Sequence, residues 1–340
     1  MERPTKPPPK AAAWVEVTSP PAKKALHFTT DPSVFTETPL YHSVAAQRVG
    51  VQPIRSLFQS LRVLRASARK PFPRMPATRR VLSTDLACTD YESLGAHLLT
   101  RSRQPGPYAV DFSNTHIVTM RRHDPAFAAI TAGIDLFVPD GMPLIWCLNR
   151  QGAALRDRVY GPTFMGKFLA TCPTEFSHYF LGGSPECGKK LCERLLDRNP
   201  QLNIVGSYHG ECTTEGTLED ESKVIQDLQA LSPDFLWIGL GTPKQYHLLK
   251  RLKPLLPSGI LLAVGFAFDV NAGTKPDAPA WMQRAGLTWT YRLGTEPRRL
   301  ATRYLKWNSL FLYYLLKRFH HNRKGGPFEI EQPKVGPKGT

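Results

Sequence analysis

From residue 79 to about 282 the chain alternates short apolar runs with segments of helical periodicity. The runs are YAVDFSN (108–114), IDLFVP (134–139), HYFLGG (178–183), LNIVGSY (202–208), DFLWIGLG (234–241) and GILLAVGFAF (259–268). Several are apolar at successive positions rather than at every second one, as in strands covered on both faces. Between them the periodicity predicts helices over 124–132, 142–151, 185–198, 219–231 and 243–255. This alternation predicts an α/β fold: a doubly wound, mostly parallel Rossmann-like sheet with helices on both faces.

The flanks follow other patterns. Residues 1–78 contain RPTKPPPK, SPPAKK and RKPFPRMP, which are basic and proline-rich. Such stretches bury too little apolar surface to offset ordering entropy, so a largely disordered extension is expected. Inside it, residues 54, 57, 58, 61 and 64 of IRSLFQSLRVLRASARK (54–70) give one apolar helical face opposite arginines. That suits an anionic membrane surface, or is a fortuitous pattern in a disordered leader. Residues 283–324 begin with clustered arginines and continue into Trp307, Leu310, Phe311, Leu312, Tyr313, Tyr314, Leu315 and Leu316. A basic helical appendage is expected there. It either lies on lipid, with Lys306, Lys317 and Arg318 near headgroups, or packs on the core. Residues 325–340 read as a disordered tail.

Charge changes the picture more than composition does. Lys and Arg number 44 against 28 Asp and Glu, a net +16, which favours an anionic partner: nucleic acid, lipid or a phosphate-bearing substrate. No helix-turn-helix or RNP signature accompanies the arginines, so nucleic acid ranks last. Six cysteines lie without CxxC or ligand-like spacing, which reads as reduced thiols in a cytosolic protein. Neither a secretory h-region nor a membrane-spanning apolar run is visible. No carboxylate pair or His spacing suits a metal, and no GxSxG elbow appears.

In an open parallel sheet, ligands bind beyond the carboxyl ends of the strands. That rule nominates Asn114, Asp140–Gly141, Gly182–Gly183–Ser184, His209–Gly210, Gly239–Gly241 and Asp269. In FLGGSPECGKK, Gly182 and Gly183 permit close backbone approach, Ser184 suits a helix cap and Pro185 a first helical position. The helix start would favour an anion, although a tight, well-capped turn accounts for the same residues. IGLGTPKQ repeats the arrangement, with Thr242 as the expected cap and Pro243 opening the helix. Lys244 and Gln245 then meet phosphate or sugar hydroxyls, or are simply solvated. Asp140, between a strand and a helix, is either a helix cap or a catalytic base.

These pieces occur in the order found in one family. Residues 79–305 resemble the bacterial WecG/TagA/CpsF glycosyltransferases through Asn114, IDLFVPDGMPL, RVYG (158–161), FLGGSPE, IVGSYHGE, PDFLWIGLGTPKQ, VGFAFDVNAG, APAWM and WTYRLGTEPRRLATRY. The resemblance implies an inverting hexosyltransferase of cell-envelope polysaccharide synthesis. It would move an N-acetylmannosamine-type or related sugar from a UDP-sugar to a polyprenyl-diphosphate-linked acceptor. Neither metal nor cofactor is implied, and the location would be peripheral, on the inner face of the plasma membrane. Family members often form homo-oligomers. By the same resemblance Asp140 is the base and Arg158 stabilises the leaving diphosphate. Gln245 meets the substrate, and Arg292, Arg298, Arg299 and Arg303 close over the site and touch the membrane. The chain departs from the family pattern at Phe112, Thr163, Tyr246, Asp277 and Thr288. Those departures leave an alternative: a catalytically impaired homologue that binds nucleotide-sugar or lipid.

Overall fold

The computed structural model describes residues 75–210 and 212–323. The expected extension up to residue 74, its helix at 54–70 and the tail at 325–340 lie outside the described residues. Eight strands form one sheet: β1 (Thr78–Val81), β2 (Thr84–Ala87), β3 (Tyr108–Ser113), β4 (Leu136–Pro139), β5 (Ser177–Gly182), β6 (Asn203–Tyr208), β7 (Phe235–Gly239) and β8 (Ile260–Ala263). Their order is β1-β2-β4-β3-β8-β7-β5-β6. All pairs are parallel except β1 with β2, an antiparallel hairpin at one edge.

Both faces of the central strands are apolar because helices cover both. Val110, Phe112, Val138, Phe180, Trp237 and Leu262 join one core. That core is closed by α1 (Tyr91–Ser102), α5 (Gly161–Thr171), α6 (Pro185–Arg198) and α9 (Ala267–Ala272). Ala109, Phe137, Leu181, Ile238 and Leu261 point the other way. They meet α2 (Thr115–His123), α3 (Pro125–Ile130), α4 (Met142–Asn149), α7 (Glu221–Leu231) and α8 (Lys244–Leu252). Then follow α10 (Ala280–Arg284), α11 (Thr288–Thr295) and the long α12 (Pro297–Arg323), the basic helical appendage. The α/β Rossmann-like expectation therefore holds.

Local chemistry sets the helix starts. Asp90 accepts from the Ser93 N–H at 2.8 Å and Asn114 from Ile117 at 3.3 Å, opening α1 and α2. Ser184 accepts from Cys187 at 3.2 Å and opens α6 at Pro185, as its sequence predicts. Two expectations are corrected. The run 259–268 is not one strand: β8 ends at Ala263, Gly265 turns the chain at φ +49°, and Ala267 begins α9. Thr242 is not the cap of α8; Pro243 holds that position, with no side-chain cap bond.

The α2–α3 connection carries the chain outward from β3 to β4, whereas β8 is entered from β7 on its other side. Connections thus diverge at the β3/β8 pair, where a parallel sheet leaves a crevice at its carboxyl edge. On the same edge Gly182 pairs with Gly239. Gly182 has φ +110°, and a Cβ there would stand 2.9 Å from the Gly239 carbonyl carbon. Gly182→Ala is therefore expected to cost about 1–3 kcal/mol in urea unfolding. An unchanged midpoint would mean the β5 and β7 tips do not pack this closely.

Candidate active site

The tips of β4, β3, β8 and β7 stand side by side, and a cleft of about 400 Å³ opens over them. Asn114, Asp140, the Gly239–Gly241 turn and Val264–Phe266 form its floor. Lys244 and Gln245 enter from α8, Asp269 from α9, Arg292 from α11 and Arg303 from α12. Eight of the expected site residues thus meet in one place.

Asp140 does not cap α4. Gly141 is the N-cap residue there and supplies no side-chain bond. The Asp140 backbone N–H is tied to the Ser113 carbonyl at 2.7 Å, joining the tips of β3 and β4. The Gly161 amide, at the start of α5, favours the charged form of its carboxylate. The residue as a whole is half-buried, but Oδ1 is enclosed and has no hydrogen-bond partner. Burial pushes this carboxyl up to about 8, although Arg158 and Arg292 draw it down.

Arg158 lies behind the cleft rather than on its wall. Its guanidinium donates to the Asp140 backbone carbonyl at 3.2 Å and to Thr288 Oγ1 at 2.8 Å. It also covers the Tyr160 ring at 4.3 Å from the centroid. Arg158 thus locks Asp140 in place and faces it with positive charge.

Gln245 is buried, not solvated, and its Oε1 accepts from the Gly241 N–H at 3.2 Å, which fixes the turn after β7. Lys244 donates to the Cys212 carbonyl at 2.7 Å while lining the cleft. Asp269 accepts from Thr274 and lies 3.8 Å from Lys275, which also pairs with Glu296 at 3.0 Å. Lys275 therefore joins the cleft to the junction between α11 and α12. The Arg292 guanidinium stacks 3.9 Å from the Phe266 centroid.

Several expected residues stand elsewhere. The Gly182–Gly183–Ser184 turn packs against β7 and α6, as a tight, capped turn does, and is not on the cleft wall. His209 is buried against Gly188 and bonded to the Gly182 carbonyl at 2.6 Å, and Gly210 lies against Tyr208. Gly141 serves the α4 turn. Arg298 is exposed and does not line the cleft, and the Arg299 side chain is outside the described set. Lys275, Phe266, Tyr160 and His116 line the cleft unforeseen. Phe266 was hidden in an apolar run that reads as strand. His116 is held neutral by burial and by Arg303, at about 3.

Four of the five departures, all but Thr163, have partners. Tyr246 donates to Asp111 Oδ1 at 2.8 Å, and Ser113 Oγ donates to the same carboxylate. Asp111 is fully buried, which raises it to about 6. Asp277 accepts from Tyr160 at 2.8 Å, and Thr288 from Arg158. Phe112 packs on Phe164 beneath the cleft. Among the described residues, no cluster of His, Cys, Asp and Glu is arranged to hold a metal.

A parallel sheet with a basic cleft across its diverging strand tips, beside one enclosed carboxylate, is a Rossmann-like fold with a site suited to an anionic ligand. The chain belongs to the glycosyl transferase WecG/TagA/CpsF family, whose model matches residues 79–325. It is similar to the N-acetylglucosaminyldiphosphoundecaprenol N-acetyl-beta-D-mannosaminyltransferase of Bacillus spizizenii, 25% identical over 225 residues, or 65% of this chain and 85% of that one. The protein of that name from Bacillus subtilis is 24% identical over 187 residues, 55% of this chain and 71% of its own. The chain is accordingly a glycosyltransferase of the hexosyl-transferring kind.

Asp140 is raised in the folded protein from 3.8 to about 8. Between those values the unfolded chain ionises and the folded one does not, so rising pH costs stability. Asp140→Asn lacks that cost. Its melting temperature relative to the parent is expected to climb from pH 4 to about 8 and then level off. Thermal melts across this range check it; a flat difference would mean the carboxyl is not enclosed.

Proposed function

We propose that the protein transfers an N-acetylmannosamine-type sugar from a UDP-sugar to a polyprenyl-diphosphate-linked acceptor, with inversion, for cell-envelope polysaccharide. The observation carrying this reading is the enclosed, unpartnered Oδ1 of Asp140 beside a cleft lined with cations. The donor diphosphate rests over the Gly239–Gly241 turn, among Lys244, Lys275, Arg292 and Arg303. Asp140 removes the proton from the acceptor hydroxyl. That oxygen attacks the anomeric carbon from the face opposite the diphosphate, and the bond to UDP breaks with its electron pair leaving on the phosphate oxygen. Fixed cations offset the charge growing there. Arg158 keeps the base aimed and acts through it rather than on the diphosphate.

The relatives' names support the acceptor, since both refer to a diphosphoundecaprenol-linked sugar. The alternative, a homologue that binds but does not turn over, is less supported because the departures at 246, 277 and 288 are re-partnered. Asp140→Asn is expected to lower transfer by ~10²–10⁴-fold with donor binding retained. For the parent, kcat/KM is expected to rise with pH through an inflection near 8, where Asp140 ionises. Full turnover by the variant would remove the base assignment; donor binding without turnover by the parent would favour the impaired homologue.

The lipid-linked acceptor also gives α12 a role. Trp307, Phe311 and Tyr314 face the body, where Trp307 and Tyr314 meet His116 and His123. Leu305, Leu312 and Leu316 recur at spacings of seven and four, so they share the opposite, exposed face. We read that stripe, flanked by Lys306 and Lys317, as resting on the anionic inner membrane surface. No helix among the described residues is long and apolar enough to cross a membrane. Changing Leu305, Leu312 and Leu316 together to Ser spares the packed face and is expected to abolish sedimentation with phosphatidylglycerol vesicles. Unchanged sedimentation would refute the anchor.

A further inference from the structure

Three of the five tryptophans among the described residues are exposed. Trp146 is 54% exposed, Trp281 60% and Trp289 40%, and Leu287 is exposed beside them. They belong to α4, α10 and α11, and the turn between α10 and α11, which Trp281 and Trp289 flank in sequence, packs on Trp146 of α4. At that turn Gly286 has φ +73°, and a Cβ would stand 3.0 Å from Met142 Cβ and 3.7 Å from Trp146 Cη2. The Ala285 N–H donates to the Trp281 carbonyl at 3.0 Å and that of Leu287 to Met282 at 2.8 Å, so both flanks are fixed. Trp289 meets Tyr304 edge-on at 6.0 Å, next to exposed Leu305. Three large aromatic side chains exposed around one turn are the mark of an interaction site.

The charge around it selects the partner. From 280 to 310 the basic residues are Arg284, Arg292, Arg298, Arg299, Arg303 and Lys306, while Glu296 is the single acid and is paired with Lys275. A second copy of the chain would bring one basic rim against another, which is unfavourable. An indole with a basic rim instead matches the headgroup level of an anionic bilayer.

This surface also adjoins the base. Thr288, between Leu287 and Trp289, accepts from Arg158, which in turn holds the Asp140 carbonyl. Arg292, one turn further along α11, lines the cleft. We propose that Trp146, Trp281 and Trp289 form a second lipid-facing shelf, which continues from the Leu305 end of the α12 stripe, seats the cleft mouth on the membrane and presents the acceptor's lipid-linked end to Asp140. The proposal rests on the lipid-linked acceptor argued above. It adds the orientation of the enzyme: contact helices α4, α10 and α11, the last of which lines the cleft through Arg292, in addition to α12.

The test uses the full chain and its Trp146→Ser/Trp281→Ser double variant, matched for circular dichroism and melting temperature. With phosphatidylglycerol vesicles carrying brominated acyl chains, tryptophan emission of the parent is expected to be quenched, and that of the variant much less so. Transfer to a long-chain lipid-linked acceptor in vesicles is expected to fall about tenfold or more, as for loss of large apolar anchors. Transfer to a short-chain, water-soluble acceptor is expected to be unchanged. Equal losses on both acceptors would overturn the shelf, as would equal quenching of parent and variant. So would a parent dimer that the variant loses while its vesicle binding stays intact, since the patch would then join two copies. If the parent transfers sugar to neither acceptor, the proposed function fails, and the quenching comparison still decides the shelf.

Discussion

An enclosed carboxylate is costly unless something holds it, and the site is arranged around holding Asp140. Its N–H ties β4 to β3 and its carbonyl takes the Arg158 guanidinium. Both backbone groups are thereby used, while the carboxylate Oδ1 is enclosed without a partner. The two attachments come from different parts of the chain, so Asp140 is positioned only when the sheet and, through Arg158 and Thr288, the α11 start are in place. The raised carboxyl is the consequence: desolvation outweighs two nearby arginines. A group tuned in this way is ready to exchange a proton near neutral pH, which a solvated helix cap is not.

Electrostatics on the two sides of Asp140 differ in kind. Arg158 is buried and fixed by three contacts, so its charge acts at constant geometry. Lys244, Lys275, Arg292 and Arg303 stand on the cleft wall, where the proposed donor diphosphate would meet them. Two of the four, Arg292 and Arg303, belong to α11 and α12. The helices that cover the cleft therefore carry half of its cationic charge, and a movement of α11 or α12 would alter the cleft and the support of Asp140 together.

The strand tips were legible because a buried parallel strand is a run of apolar residues, and five of the six predicted strands lie where the runs are. The sixth overran because GFAF stays apolar through the turn at Gly265. The β1/β2 hairpin and the helices α1, α2, α5, α9 and α10 went unread. TRRV and TDLA are short edge strands, and THIVTMRRH mixes apolar residues with charges that its cap, Asn114, explains only in three dimensions. In the site, the strand-tip rule found Asn114, Asp140, Gly241 and Asp269. It also selected Gly182–Ser184 and His209–Gly210, which have the same local chemistry but turn into packing on β7 and α6. Glycine spacing alone does not say which side of a tip faces the ligand. Lys275 and Phe266 have no sequence signal of their own; the fold of α9 brings them in.

The departures from the family pattern bear on whether catalysis survives. Losing a polar residue matters most when its buried partner is left unsatisfied. At 288 a threonine receives the Arg158 guanidinium, and at 277 an aspartate receives the Tyr160 hydroxyl. At 246 a tyrosine donates to Asp111, a carboxylate that would otherwise keep only the Ser113 hydroxyl. A second carboxylate at 246 would face Asp111 within the same buried space, and both could not ionise there without cost. Tyrosine at 246 and aspartate at 111 are therefore a matched pair. A site drifting away from function would show orphaned polar groups at such positions, yet the enclosed cleft-side oxygen without a partner is that of Asp140. At 246, 277 and 288 the polar framework around the proposed base is thus re-paired rather than eroded, which supports the proposal of an active transferase over that of an impaired homologue.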